Sequence, residues 1–269
     1  MKIDRTYAIY FSPTYTSKKS AVSIARGLEG ELSEIDLTLE ETIPEMTFSR
    51  HDIVVFGFPV YGGRILHEAL ERLKSFRGDH TSCVITVTYG NRHYDDALLE
   101  LFNTVKEQGF IPIAGAALVG EHTYGQIQVG RPNRDDLYRD ELFGSLVRLK
   151  IKDDNFSFVS VPGKYPYKEG GTGGKFRPET NEQCSGCGVC VNMCPTNAID
   201  IEDCKTINND CIACFRCIRI CPVHAKSMNN NQEYQTFAGK FLARNWQHLG
   251  KMNTLFKFCS FFIKSLRVF

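Results

Sequence analysis

The sequence has no long hydrophobic run. None of its 269 residues belongs to the roughly 18-residue uninterrupted apolar stretch that a membrane-spanning helix needs. Its opening, "MKIDRTYAIYF", has neither an extended apolar core nor a small-residue cleavage site, so it does not read as a secretory signal. The expected compartment is the cytoplasm. Charge of one sign is not in excess either: 32 Lys and Arg stand against 31 Asp and Glu, a formal net charge of +1. That balance excludes a chain-wide basic face for nucleic acid, where affinity comes from displacing counterions from phosphates. Two nucleotide signatures are missing. There is no dinucleotide fingerprint, and "GGTGGKF" fails as a P-loop. That loop would need glycine where Glu169 stands and Ser or Thr where Phe176 stands. No acid–base constellation stands out, and no catalytic residue is assigned.

What the chain does have is cysteine, 11 in all. In a reducing compartment these point to metal rather than to disulfides. Eight of them form a repeat. Cys184, Cys187, Cys190 and Cys194 recur, shifted by 27, as Cys211, Cys214, Cys217 and Cys221, and Pro195 and Ala198 recur as Pro222 and Ala225. Two zinc sites would use C-x2-C pairs. They give no reason for a third cysteine at the same gap or for the two Cys-Pro pairs. The pattern C-x2-C-x2-C-x3-C-P wraps three thiolates around one cubane, and its fourth cysteine serves the other cluster. Over about residues 182–228 the sequence resembles the bacterial-type 2[4Fe-4S] ferredoxins. That resemblance implies cluster I on Cys184, Cys187, Cys190 and Cys221, and cluster II on Cys211, Cys214, Cys217 and Cys194. Cys83, in an apolar run, reads as a buried small hydrophobe, and neither Cys204 nor Cys259 is given chemistry. His224 reads as a surface residue. Arg216 and Arg219, inside the second run, read either as tuning cluster II or as part of an ordinary solvated face.

The first 150 or so residues alternate short apolar runs with helical patterns. "TYAIYF", "SEIDLT", "DIVVFGFPVYGG", "CVITVTYG" and "PIAGAALVG" read as five strands. "SKKSAVSIARGLEG", "ILHEALERLKSF", "YDDALLELFNTVKEQG" and a stretch from about Arg134 to Lys150 read as helices. Such alternation, with strands that are apolar except for the alternating "SEIDLT", predicts a doubly wound parallel sheet covered on both faces. Ligands bind such sheets outside the carboxyl ends of the strands. Those ends carry "SPTYTSKKS", "PVYGGR" and "TYGNRHYDD".

These three loops, over about residues 3–150, resemble the phosphate loop and the two ring loops of flavodoxins. The resemblance implies flavin mononucleotide held by Ser12, Thr14, Tyr15, Thr16 and Ser17, by Pro59, Val60, Tyr61, Gly62 and Gly63, and by Tyr89, Gly90, Asn91, Arg92, Tyr94 and Asp95. Tyr15 stands where glycine is usual, a place where a side chain at positive φ is strained. The long segment "EHTYGQIQVGRPNRDD" reads as a lid or partner surface, with His122 and Tyr124 as its polar candidates.

The expected organisation is therefore a flavodoxin-like domain over 1–155 and a connection over 156–181. A small α+β ferredoxin domain over 182–228 and a basic helical tail over 229–269 follow. As a whole the chain resembles the flavodoxin–ferredoxin fusion proteins of anaerobes. This implies electron transfer between two [4Fe-4S] clusters and the flavin, linking one-electron carriers to a redox partner, protein or small molecule. A reductase, in which the flavin reduces a bound small molecule, is the alternative. From Gln235 onward the chain has six Lys or Arg and no Asp or Glu. As a helix, its end would align Leu255, Phe258, Phe262, Leu266 and Phe269 in one stripe. That stripe is expected to dock on the chain itself, the competing site being an anionic membrane surface.

Overall fold

The computed structural model describes residues 3–40, 42–124, 127–153, 158–245 and 254–256. In chain order β1 (Arg5–Tyr10), α1 (Thr16–Arg26), β2 (Glu31–Asp36), β3 (Met46–Phe48), β4 (Asp52–Tyr61) and β5 (Arg64–Ile65) come first. They are followed by α2 (His67–Leu73), β6 (Phe76–Gly78), β7 (Ser82–Tyr89), α3 (Ala97–Glu107), β8 (Ile111–Val119) and α4 (Arg134–Lys152). The neighbours β2-β1-β4-β7-β8 are all parallel. Counting only these five, the order is 2-1-3-4-5, which is the flavodoxin-like doubly wound order.

Strand periodicity divides the core in two. Tyr7, Ile9, Val54, Phe56, Cys83, Ile85 and Val87 face one side, where α2 and α3 cover them through Ala69, Leu73, Leu98, Leu101 and Val105. Ala8, Tyr10, Ile53, Val55 and Val84 face the other, under Ala21 and Ile24 of α1 and Phe143, Val147 and Ile151 of α4. Burial on both faces is why these strands are apolar throughout rather than alternating. Cys83 is fully buried there, and burial pushes its thiol well up. Two small additions were not visible in the sequence: the hairpin strand β5 on β4, and the parallel pair β3–β6.

The connection after α4 is a strap rather than a free linker. Asp96 accepts backbone N–H groups from Lys164 (2.8 Å) and Lys168 (2.9 Å). The Arg64 guanidinium sits 4.5 Å from the Tyr167 ring centroid. Gly171 donates to the Tyr61 carbonyl and accepts from the His67 amide. The strap thus braces the loop that ends β4.

The cysteine-rich part consists of β9 (Glu179–Thr180), α5 (Val189–Asn192), α6 (Arg216–Ile220) and β10 (Lys226–Ser227), then α7 (Gln232–Asn245). β9 pairs with β10, so this unit starts ahead of residue 182. The sequence repeat is also a backbone repeat. Gly186 (φ 68°), Gly188 (71°) and Asn197 (49°) correspond to Ala213 (51°), Phe215 (58°) and His224 (52°). His224 is exposed, as expected.

The tail departs from the expected single amphipathic helix. Its first part is α7, but Thr254–Phe256 forms β11, antiparallel to β8 at the edge of the main sheet. Leu255 therefore lies in a strand and not on a helical stripe. A free sheet edge offers unpaired backbone groups, which explains why strand pairing wins there. Phe258, Cys259, Phe262, Leu266 and Phe269 lie outside the described residues.

Candidate functional site

The three loops do converge. Ser12, Thr14, Thr16 and Ser17, the run Pro59–Gly63, and Tyr89, Gly90 and Arg92 line one cavity of about 330 Å³ at the carboxyl ends of β1, β4 and β7. That volume lies in the range of cofactor-sized pockets. Four expected contacts are not on its lining. Tyr15 turns away toward the cysteine-rich part. Asn91 is buried behind its loop (1% exposed). Tyr94 packs between His93 and Tyr89. Asp95 is occupied by Arg92 and Lys168. These residues hold the loop in shape.

The chemistry of the lining suits a phosphorylated, planar ligand. The Ser17 and Thr88 hydroxyls are buried and have no hydrogen-bond partner among the described residues. Both line the cavity, and orphaned polar groups of this kind call for one. The first amides of α1 add further donors, and its dipole favours an anion. The Ser12 hydroxyl differs: it accepts from the Lys18 amide at 3.0 Å and so shapes the turn. At Gly63 (φ 95°) an added Cβ would run into the Asp95 carboxylate, so glycine is required for that loop to pass close by.

Tyr15 does adopt the positive φ that glycine would take there (64°). What holds it is Arg216, from the second cysteine run. This guanidinium lies 5.0 Å from the Tyr15 ring centroid and donates to the Tyr15 hydroxyl (3.1 Å) and to the Pro13 carbonyl (3.2 Å). Arg216 is only 3% exposed, so the solvated-face reading fails for it. Arg219 pairs with Glu121 at 2.7 Å. Arg72 makes a third link, donating to the carbonyls of Leu37, Thr38 and Pro195.

The remaining wall is aromatic. His122 and Tyr124 line the cavity together with Phe237 and Phe241 of α7. The His122 ring lies 4.8 Å from Phe241, and Tyr124 makes edge contacts with Tyr234, Phe237 and Phe241. This enclosure, with Arg92 nearby, lowers the His122 pKa to about 4. Phe237 and Phe241 escaped the sequence reading because aromatics at helical spacing carry no mark of which surface they meet.

Ala213 and Cys214 of the second cysteine run complete the cavity. Cys214 and Cys211 lie close enough to Tyr61 to add to the burial that pushes its phenol well up.

The eight repeat cysteines gather around two separate voids. Cys184, Cys187, Cys190 and Cys221 line one; Cys194, Cys211, Cys214 and Cys217 line the other. The fourth cysteine of each run thus faces the other run's void. Backbone N–H groups of Ala198, Ala213 and Ala225 point at the sulfurs of Cys194 (3.3 Å), Cys211 (3.4 Å) and Cys221 (3.2 Å). Among the described residues no three such side chains close on a single ion; the thiols surround a space instead. Both donor sets fit a cluster whose irons each take one thiolate. Cys204 also lies on the first void, which its place between the runs did not suggest.

A sequence comparison agrees with the reading of the cysteine-rich part. A family described as a 4Fe-4S binding domain matches residues 180–200. No curated protein matches the chain in sequence. Solved structures similar to the first part include a flavodoxin from the domain Archaea, at 13% identity over 55% of this chain and 99% of that one, TM-score 0.38. A flavodiiron core from Synechocystis is similar at 16% identity over 57% of this chain and 37% of its own, TM-score 0.41. The rubredoxin oxygen:oxidoreductase from Desulfovibrio gigas is similar at 13% identity over 56% and 37%, TM-score 0.42. The chain therefore spans well under half of the latter two. Strand order, rather than these distant likenesses, identifies the fold. Among the described residues no helix is long and apolar enough to cross a membrane. One chain thus joins a flavodoxin-like fold to a 4Fe-4S ferredoxin-type domain.

Proposed function

We propose that this chain is an electron-transfer protein that carries flavin mononucleotide in the 330 Å³ cavity and two [4Fe-4S] clusters in the cysteine-lined voids. The observation that carries the reading is the position of Cys214. It lines both the cavity and the second void, so one residue would touch both cofactors. Bound flavin exchanges one or two electrons and the clusters one at a time, which joins one-electron carriers to a two-electron partner.

The chain's residues divide the remaining work. Thr14, Ser17, Thr88 and the start of α1 bind the phosphate end. Tyr61, Gly62, Gly63 and Tyr89 flank the ring. The wall of His122, Tyr124, Phe237 and Phe241 excludes water from it. Arg216 keeps the phosphate loop in register with the second cysteine run. Cys187 is exposed beside the first void, with Val189 and Val223 each more than a third exposed. This rim is the proposed port for a one-electron partner protein, so electrons pass between port and flavin by way of the second cluster. The carrier reading is favoured over a reductase by His122. With its pKa near 4 it is neutral at pH 7 and offers no readily lost proton to a substrate.

Anaerobic purification with iron and flavin quantitation, followed by a stepwise redox titration, tests this reading. Two cubane signals and one flavin per chain are expected. Thr14→Ala with Ser17→Ala should leave the iron unchanged and weaken flavin binding, each lost contact to a charged group costing roughly 1.5–3 kcal/mol. Unaltered flavin affinity would remove the phosphate loop from the site.

A further inference from the structure

The first void has a fifth thiol. Cys204 lines it alongside Cys184, Cys187, Cys190 and Cys221. It is only 8% exposed, and its sulfur takes part in no hydrogen bond among the described residues. It packs with Cys190 and Ile199 in one buried cluster. Its backbone is pinned at the void. The Cys204 carbonyl accepts from Lys226 Nζ at 2.6 Å, and the same ammonium binds the Thr180 hydroxyl at 2.8 Å. Lys226 is itself buried at 3% exposure.

Among the described residues the second void has no such thiol. The pairings Ile199–Ile207 and Lys226–Thr180 are related by the 27-residue shift, which places Arg177 where the first half has Cys204. Arg177 spends its guanidinium on the carbonyls of Gly174, Asn208 and Asn209.

We infer that Cys204 is a reserve ligand of cluster I, able to take the place of Cys190 when that ligand is lost. The inference rests on the reading of the first void as a [4Fe-4S] site. The exchange balances: the iron–sulfur bond to Cys190 breaks and the released thiolate takes up a proton from water, while the Cys204 thiol gives its proton to water and its sulfur bonds the same iron, with no electron transferred. The advantage falls on the right cluster, because the first void lies beside the exposed Cys187 and is the one open to attack.

The test uses full-length protein prepared anaerobically, with iron analysis and paramagnetic resonance of the reduced state. Wild-type protein comes first. Without two cubane signals there, the cofactor reading itself has failed, and the comparison of variants is not reached. Given two, Cys190→Ala should keep the full iron content with an altered cluster I signal. Cys190→Ala with Cys204→Ala should lose cluster I or one of its irons. Cys217→Ala, the counterpart in the second half, should lose iron by itself. Cys204→Ala alone should keep both signals. The inference is overturned if Cys190→Ala loses as much iron as the double variant, or if Cys204→Ala alone removes cluster I. Should Cys190→Ala not fold, Cys190→Ser is compared with Cys190→Ser/Cys204→Ala by resonance Raman. All-sulfur ligation in the first alone supports a reserve ligand, and identical spectra refute it.

Discussion

The two halves of the cysteine repeat share a backbone and differ in what surrounds it. In the first half Gly186 and Gly188 take the left-handed turns, and nothing lies within 4 Å of a Cβ built on either. In the second, Ala213 and Phe215 hold the same turns while buried at 6% and 4% exposure. Val189, exposed, corresponds to the buried Arg216. The second half accepts backbone strain of about 1–2 kcal/mol per residue because its side chains meet the cavity and its aromatic wall. One copy of the motif has been kept open to solvent and the other has become part of the flavodoxin-like site. The repeat supplies the geometry, and the contacts give each copy a different neighbour.

The largest effects should come from the cysteines. Cys194→Ala and Cys211→Ala are expected to abolish the same paramagnetic signal, and Cys221→Ala to group with Cys184→Ala. If Cys194→Ala instead behaved like Cys187→Ala, the two halves would be independent. Flavin content sharpens the contrast, since Cys214→Ala should release flavin and Cys187→Ala should not.

Next in size is the response to iron chelation. The cluster beside Cys187 should be lost at least about tenfold faster than the one beside Cys214, with flavin fluorescence rising only in the second phase. A single phase would mean that burial does not distinguish the two voids.

Arg216→Gln comes third. Losing the contacts to Pro13 and Tyr15 should weaken flavin binding roughly tenfold, which is about 1.4 kcal/mol, as read by fluorescence titration. Adding Tyr15→Gly should recover much of this, because glycine takes the positive φ without support. The counterpart Val189→Gln should change nothing. No recovery with glycine would show that Arg216 acts otherwise than by holding the loop.

The smallest effect concerns the turns. Gly186→Ala should cost about 1 kcal/mol of stability by denaturant midpoint, from backbone strain alone. Ala213→Gly should come out near zero, since relief of that strain is offset by the ~0.8 kcal/mol lost with a buried methyl. Equal and opposite shifts would mean that the Ala213 methyl contributes nothing to packing.

Much of this was legible before any coordinates, for identifiable reasons. Fully apolar strands between amphipathic helices have few architectures open to them, and cysteines 27 apart in two sets of four leave little choice of metal chemistry. The loops "SPTYTS", "PVYGGR" and "TYGNR" were legible because chain order alone brings strand ends together. Partnerships across the chain were not. Nothing within "CFRCIRICP" says that its first arginine is buried, although the replacement of Gly188 and Val189 by Phe215 and Arg216 was a signal that the second half packs on something. Thr88 looked like an ordinary strand residue, and its orphaned hydroxyl appears only once the cavity closes around it. Leu255 fitted a helical stripe equally well, and the vacant edge of β8 decided for a strand.

The sharing of cysteines between voids bears on the order in which the protein can be made. The first void lacks a wall until Cys221 has been added, and β9 waits for β10, which follows the last cysteine of the repeat. Neither half of the motif can close while the ribosome is still within it. The five parallel strands, by contrast, are all present by Val119 and their helices by Lys152. The sheet can therefore be folded while the metal-binding segment is still emerging, and it offers that segment a finished surface. Iron delivered before residue 221 is exposed would find Cys184, Cys187 and Cys190, with Cys204 beside them, but not Cys221, the ligand that the second run supplies, so insertion belongs after the second run has emerged.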